Sequence, residues 1–319
     1  MKLGTINHNG RPALVAQQAG ATVLLTELYE SAGLGNAPAS MNDLIEAGAD
    51  ELTRVRQALD SGNAQPLDEA AIDWLPPQTR PSKRLGVAFH NMGIRKAAHR
   101  DAGVPNFFLK APSCLTGHGK PVIMEEHYGE TIPELELAAV IGKRCRKITV
   151  EEAREAIFGY TIINDITSHG LKFGLDSIAT TREPDLIRPH HLAWRNSHGE
   201  DDRDVYFVYH TRSKATDTFG PMGPWVTTAD EVKGWFDGEP FAVDSTSSYR
   251  FKVEEVVAEA SNYFTLEPGD VICFGTSAKG VGNFPNGHRS VNMHKLSGVI
   301  DIEIEGLGRL SNPVVHAWK

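Results

Sequence analysis

Two carboxylates, Glu134 and Glu136, stand two residues apart in the apolar stretch IPELELAAVIG. On an extended backbone successive side chains alternate between faces, so this spacing sends both to the same side of a sheet. Like charges held side by side repel unless something positive lies between them. A hard divalent cation (Mg2+, Mn2+ or Ca2+) would serve, because such ions take oxygen ligands. The same spacing recurs in GVIDIEIEGLG, where Asp301, Glu303 and Glu305 alternate with Ile300, Ile302 and Ile304. There the plainer expectation is a half-buried strand with a solvent-facing acidic side. Spacing alone leaves the two clusters equal, and only their surroundings can separate them.

Those surroundings begin with the elements that must hold the residues. Thr149 and Glu152 have the spacing of a capping box and predict a helix that stops at Gly159. The chain then re-extends as TIIND and leaves Asp165 at a strand end. A second capping-box spacing, Thr228 to Glu231, predicts another helix. His190 and His191 read as solvated loop residues; on a strand, adjacent side chains would point to opposite faces, which is poor for chelation.

Nearer the N-terminus, Asn9-Gly10 between KLGTI and PALVAQ predicts a tight hairpin turn, and TVLLTEL reads as a further strand. Ser40 can cap a helix carrying Leu44 and Ile45, and ELTRVRQALDSG continues it through Leu52, Val55 and Leu59 to Gly62. Prolines and polar residues then concentrate in DWLPPQTRPSKR. This places a boundary between a small αβ domain, residues 1–80, and a second domain, residues 81–319, of many short strands and few helices. Strict βαβ alternation is absent, so the class expected is α+β and mainly β.

Composition narrows the function. A chain of 319 residues with 40% hydrophobic residues can bury a substantial core. A net charge of -9 and a pI near 5.8 argue against a nucleic-acid partner, which needs clustered Lys and Arg to displace counterions. The N-terminal residues lack the apolar block of a signal peptide, and no run approaches the ~20 apolar residues of a membrane span. Cys114, Cys145 and Cys273 form no Cys-x-x-Cys pair, so reduced, buried thiols in a cytoplasmic protein are expected.

Beyond Leu85 the sequence resembles the fumarylacetoacetate hydrolase family in five segments that occur in family order. They are PNFFLKAPSCLTG, ELELAAVIGK, GYTIINDITS, SKATDTFGPMGPW, and LEPGDVICFGTSAKGVG running into EGLGRLSNPVV. The resemblance implies a mixed β-roll catalytic domain behind the small N-terminal domain, commonly in a homodimer. It also implies that Glu134, Glu136 and Asp165 are ligands of a divalent metal, Mg2+ or alternatively Mn2+ or Ca2+. Lys214 falls on a lysine beside the metal, where an ammonium can steady a developing enolate. In FGTSAKGVG, the Thr276 hydroxyl and neighbouring backbone N–H groups, that of Gly275 included, are candidates to receive a substrate carboxylate, as is Lys110 in FFLKAPS.

Departures from the family pattern are equally informative. Where the family carries Asn, Tyr and a water-activating His near the start of its catalytic domain, GVAFHNMGIRKAAHRD puts Ala88, Phe89 and Met92. Met cannot accept a proton, so general-base work would pass to His90 or His99. His169 stands where the family often has Arg, and a long insert separates Asp165 from Lys214. The implied activity is hydrolysis of a carbon–carbon bond in an acylpyruvate-like 2-oxo acid through a metal-stabilised enolate. The alternatives are dehydration of a 2-oxo-3-deoxy sugar acid, isomerisation, decarboxylation, or a non-catalytic relative that only binds metal and ligand.

Overall fold

The computed structural model describes residues 1–95, 101–196, 204–227, 231–276 and 279–319. The N-terminal hairpin forms as expected. Leu3–His8 pairs antiparallel with Arg11–Gln18, and Asn9 and Gly10 take the left-handed conformation that such a turn needs, with φ of 53° and 79°. The TVLLTEL expectation is corrected, because the strand Ala21–Leu24 ends there and Leu25–Ser31 is helical. Leu25, Leu28 and Tyr29 fall at helical spacing and are buried together, so packing decides against extension. Ser40 accepts the Asp43 N–H and opens the helix Met41–Ser61, which is kinked at Gly48 and ends before Gly62. This hairpin sheet also takes in Trp74–Leu75 and, from far along the chain, Trp225–Val226.

Two further five-stranded sheets follow. The first has the order Ile157–Asn164, Leu135–Ile141, Val271–Cys273, Arg84–Ala88, Asn106–Lys110. The second runs Glu239–Ser245, Glu231–Phe236, Gly298–Ile304, Gly308–His316, Val122–Met124. One apolar core joins them, with Leu85, Leu137, Ala139 and Ile141 from the first sheet, Ile300, Ile302, Ile304 and Leu310 from the second, and Val256, Val257 and Ala260 from the helix Val253–Tyr263. Each large apolar side chain so buried contributes about 1.5–3 kcal/mol. Every residue of Leu135–Ile141 is buried, so the strand that carries Glu136 is clamped on both faces.

Several local expectations change. The Thr149–Glu152 capping box is present with both reciprocal hydrogen bonds, but its helix, Val150–Ala156, passes straight into a strand at Ile157. Gly159 is therefore a strand residue, and a Cβ there would meet Val226 Cγ1 at 2.7 Å. Residues 228–230 lie outside the described ones, and Glu231 opens a strand instead of continuing a helix. The hairpin signal Asp237-Gly238, at φ 49° and 85°, prevails there over the capping pattern. His190 and His191 sit on the helix Pro189–Asn196, with ring centroids 4.3 Å apart and His191 buried. All three thiols are free, with Cys145 only half-buried. Among the described residues no helix is long and apolar enough to cross a membrane. The architecture is α+β with more strand than helix, as expected.

Candidate metal centre

Glu136 lies on the strand Leu135–Ile141 between two core leucines, so alternation turns its carboxylate to the opposite face. Glu134 immediately precedes the strand. Its N–H donates to Asn164 Oδ1 at 2.9 Å, and its carbonyl accepts the Asp165 N–H at 2.8 Å. These two bonds tie the start of one strand to the end of its neighbour. Carboxylate oxygens of Glu134, Glu136 and Asp165 consequently lie within 4.8 Å of one another, although the third residue is 29 positions away in the chain. Metal–oxygen bonds of roughly 2.0–2.6 Å put opposed ligands about 4–5 Å apart, so the all-oxygen donor set fits a hard divalent ion.

Three buried cations converge on the same point. Lys214, on the short helix Thr211–Ala215, donates to Glu134 Oε2 at 2.6 Å, to the Asp165 carbonyl at 3.1 Å, and to Asp165 Oδ2. Lys110 Nζ lies 2.7 Å from Asp165 Oδ1 and Arg84 Nη2 3.0 Å from it. Burial alone would raise the Asp165 pKa, but Lys110, Lys214 and Arg84 together drive it below the carboxylate range. Glu134 is lowered in the same way, Lys214 outweighing burial. Among the described residues Glu136 has no cation at hydrogen-bond distance and accepts only the Gly275 N–H, at 2.8 Å. Burial, with Asp165 close by, pushes its pKa well above the usual value. For Lys214 burial opposes the charge, yet Asp165 and Glu134 raise its pKa, so it stays an ammonium.

The carboxylates and Lys214 line one side of a cavity of about 400 Å3. Thr276 lines it too and is almost wholly buried. Gly275 borders it, but its N–H, a candidate for a substrate carboxylate, is taken by Glu136. Lys110 is also corrected: it does not line the cavity, and its ammonium is held between Asp165 and the Phe219 carbonyl, 2.9 Å away. It positions Asp165 from behind.

His90 is unsuited to general-base work. Its Nδ1 lies 2.7 Å from the Phe274 carbonyl, and its Nε2 lies 3.0 Å from the Phe251 carbonyl and 3.1 Å from the Phe251 nitrogen, so both ring nitrogens face backbone. Its ring also stacks on Tyr249, centroids 4.7 Å apart, so it braces the loop. His99 lies outside the described residues. Met92 begins a four-residue helix and does not line the cavity.

Arg84, Lys172 and His210, which the sequence did not single out, complete the site together with His169. Arg84 is a charged residue inside a buried strand, and Gly220 makes room for it, since a Cβ there would meet Arg84 Nη1 at 2.2 Å. His169, Lys172 and His210 form another wall, the last two supplied by the insert. Burial, with Lys172 and Lys214 nearby, pulls the His210 pKa down to about 4, and burial lowers Lys172 as well. A cationic residue among apolar ones, as in HGLKFGL, was the available signal for Lys172. The expected acidic face of the Gly298–Ile304 strand is corrected in turn, because Asp301 is buried and receives Arg309 and, at a short distance, Ser311.

Comparison with known proteins bears on the same region. The family model described as fumarylacetoacetate (FAA) hydrolase C-terminal matches residues 85–315. The chain is 28% identical over 309 residues to a mitochondrial oxaloacetate tautomerase, fahd2, of Xenopus laevis, covering 93% of this chain and 84% of that one. A fumarylacetoacetate hydrolase from Exiguobacterium antarcticum superposes with a TM-score of 0.69 at 26% identity, over 99% of each chain. A maleylpyruvate hydrolase from Sphingobium sp. SYK-6, solved with manganese(II) and pyruvate, also gives 0.69, at 24% identity over 99% of each.

Proposed function

The chain belongs to the fumarylacetoacetate hydrolase family, and on that premise we propose that it is a divalent-metal-dependent enzyme interconverting the keto and enol forms of a small 2-oxo acid. The carrying observation is the three-carboxylate cluster with Lys214 beside it on the wall of a cavity. Mg2+, Mn2+ or Ca2+ held by Glu134, Glu136 and Asp165 would supply Lewis-acid polarisation of the carboxylate and 2-oxo oxygens. Manganese and pyruvate in the maleylpyruvate hydrolase support that assignment. Lys214 places a permanent positive charge where enolate charge develops. The Thr276 hydroxyl offers a hydrogen bond to the substrate carboxylate from the cavity wall. The proton leaving carbon goes to a neutral imidazole, for which His169 and His210 line the cavity.

Tautomerisation is preferred to hydrolysis for two reasons. It needs no activated water, and the usual water-activating position holds Met92 while His90 is locked to backbone. The oxaloacetate tautomerases among the relatives point the same way. Carbon–carbon hydrolysis of an acylpyruvate is the second reading, supported by the likeness to fumarylacetoacetate hydrolase and by His99, which lies in the undescribed residues 96–100.

The test follows deuterium uptake from solvent at the carbon beside the 2-oxo group, with Mg2+ or Mn2+, alongside product analysis on acylpyruvates. Exchange without cleavage, abolished by chelator and by Glu136→Ala, is expected. Exchange indifferent to both sinks the proposal, and cleavage of an acylpyruvate selects the second reading.

The same reading makes the protein a cytoplasmic homodimer acting on small molecules, with residues 1–80 and 81–319 as its two domains. Exposed Leu175, Ile178 and Tyr206 on the insert support the dimer, which light scattering checks. Leu25, Leu28 and Leu44 pack in a cluster drawn mainly from residues before 80, which supports the boundary.

A further inference from the structure

Among the described residues four histidines line the cavity: His90, His169, His210 and His288. A base that takes a proton from carbon needs one ring nitrogen bare toward the substrate and the other held by a group that welcomes the charge. His90 has both nitrogens turned to backbone, and His288 is buried and already engaged. His210 Nδ1 is buried without a partner, and burial, with Lys172 and Lys214 nearby, opposes a second proton on that ring. His169 differs from all three. Its Nδ1 lies 3.9 Å from Oε2 of Glu130, a carboxylate that takes no part in the metal centre.

The backbone builds this pairing. The short strand Thr167–Ser168 runs antiparallel to Thr131–Ile132 with Ser168 opposite Thr131, so the next pair outward is His169 with Glu130, and their side chains are neighbours. The Glu130 carbonyl accepts the N–H of His169 at 2.7 Å and that of Gly170 at 3.2 Å. At 3.9 Å the carboxylate stands beyond hydrogen-bond length, but 54% of the Glu130 side chain is exposed, and rotation can close the gap. A carboxylate beside Nδ1 keeps the proton on that nitrogen and leaves Nε2 as the acceptor. Burial opposes a second proton on the ring, as do Lys172 and Arg289, while Glu130 and Glu134 favour it. Glu134 is committed to Lys214, so Glu130 is the carboxylate left to answer an imidazolium. His169 also opens the helix His169–Gly174, where the dipole favours an acidic neighbour. That effect accounts for a glutamate there and not for an imidazole, whose added proton the same dipole opposes.

We propose that His169 is the catalytic base and Glu130 its positioning residue: His169 Nε2 takes the proton from the carbon beside the 2-oxo group, and Glu130 holds the Nδ1–H tautomer and steadies the imidazolium. The C–H electron pair becomes the carbon–carbon double bond and the carbonyl pair moves to the 2-oxo oxygen. The imidazolium then gives its proton to that oxygen, which yields the enol and restores the neutral base. The inference rests on the reading that a 2-oxo acid is tautomerised in this cavity.

Deuterium uptake by 2-oxobutanoate at the carbon beside its 2-oxo group, followed by NMR with saturating Mg2+, tests the pair, with calorimetric Kd values for Mg2+ and 2-oxobutanoate measured alongside. His169→Gln should slow exchange about 100–10,000-fold, the range of a general base, and leave both Kd values within about twofold, which also reports an intact fold. Added imidazole should restore part of the exchange to His169→Gly. Glu130→Gln should lower kcat about tenfold with KM little changed, and should move the acid limb of kcat to lower pH, because a group that favours the protonated ring is gone. Exchange in His169→Gln within about threefold of wild type overturns the proposal. So does a loss of 2-oxobutanoate affinity that matches the loss of exchange, or a loss in His210→Asn as large as in His169→Gln. An acid limb unmoved in Glu130→Gln overturns the role of Glu130. If the wild type binds 2-oxobutanoate with Mg2+ yet shows no exchange, the tautomerase reading falls and the base assignment falls with it.

Discussion

Two acidic clusters in this chain share one spacing and differ in everything that surrounds them. On the Gly298–Ile304 strand, Asp301 is answered by Arg309 and Ser311 from the adjacent strand, while Glu305 is exposed in the turn that follows. At the other site Glu134 and Glu136 are joined by Asp165 from the neighbouring strand, backed by buried cations, and open onto a cavity. In the first arrangement the buried carboxylate is paired locally and Glu305 faces solvent. The second gathers three carboxylates within 4.8 Å of one another on the wall of a cavity, against their mutual repulsion, and that is a reason to infer a ligand.

The largest break in this contrast comes from Asp165→Asn. It leaves Lys110 and Arg84 fully buried with their shared anion gone, so a loss of about 3–5 kcal/mol in denaturant unfolding is expected, together with loss of metal binding. A change under about 1 kcal/mol would mean that the cations find other partners.

Glu136→Gln separates stability from binding. The folded pKa of Glu136 is raised, so the stability tied to its protonated form is complete below about pH 4.3 and is lost as pH rises through the folded value. Gln cannot ionise, so the metal-free variant should be more stable than wild type at neutral pH while its Mn2+ affinity falls about 100-fold or more. The same titration predicts that wild-type Mn2+ affinity climbs with pH above the ordinary glutamate range, with proton release on binding. Calorimetry in buffers of different ionisation enthalpy measures it, and affinity flat across that window would remove Glu136 from the ligand set.

Gly220→Ala probes the support behind Asp165. Its Cβ would collide with Arg84 Nη1, and a cost of about 1–3 kcal/mol with weakened metal binding is expected, read by thermal unfolding and metal titration. The smallest effect belongs to the other cluster. Asp301→Asn loses one pair whose arginine is 47% exposed, so a change of about 1 kcal/mol or less and unaltered metal affinity are expected.

Much of the fold was legible because local chemistry agreed with it. The Asn9-Gly10 turn, the Ser40 cap and the Thr149–Glu152 capping box involve neighbours a few residues apart, and each forms. Local signals failed where a tertiary partner outweighed them. Leu25 and Leu28 went into a helix that buries them, Gly159 into a strand pressed on Val226, and Glu231 into a hairpin. Lys110 and Gly275 were expected to meet a substrate carboxylate, yet in the structure Lys110 lies against Asp165 and the Gly275 N–H donates to Glu136.

By itself the sequence determined which carboxylates share a face and, through ordered family segments, which strand end supplies the third. The hydrophobic periodicity that makes those strands also makes that information local. What only the tertiary structure decided is which cations remain unanswered. Lys110, Lys172 and Lys214 are chemically identical in the sequence. Lys172 and Lys214 both line the cavity, yet Lys214, like the enclosed Lys110, reaches Asp165, because pairing depends on distances of about 3 Å between groups far apart in the chain, which no spacing encodes.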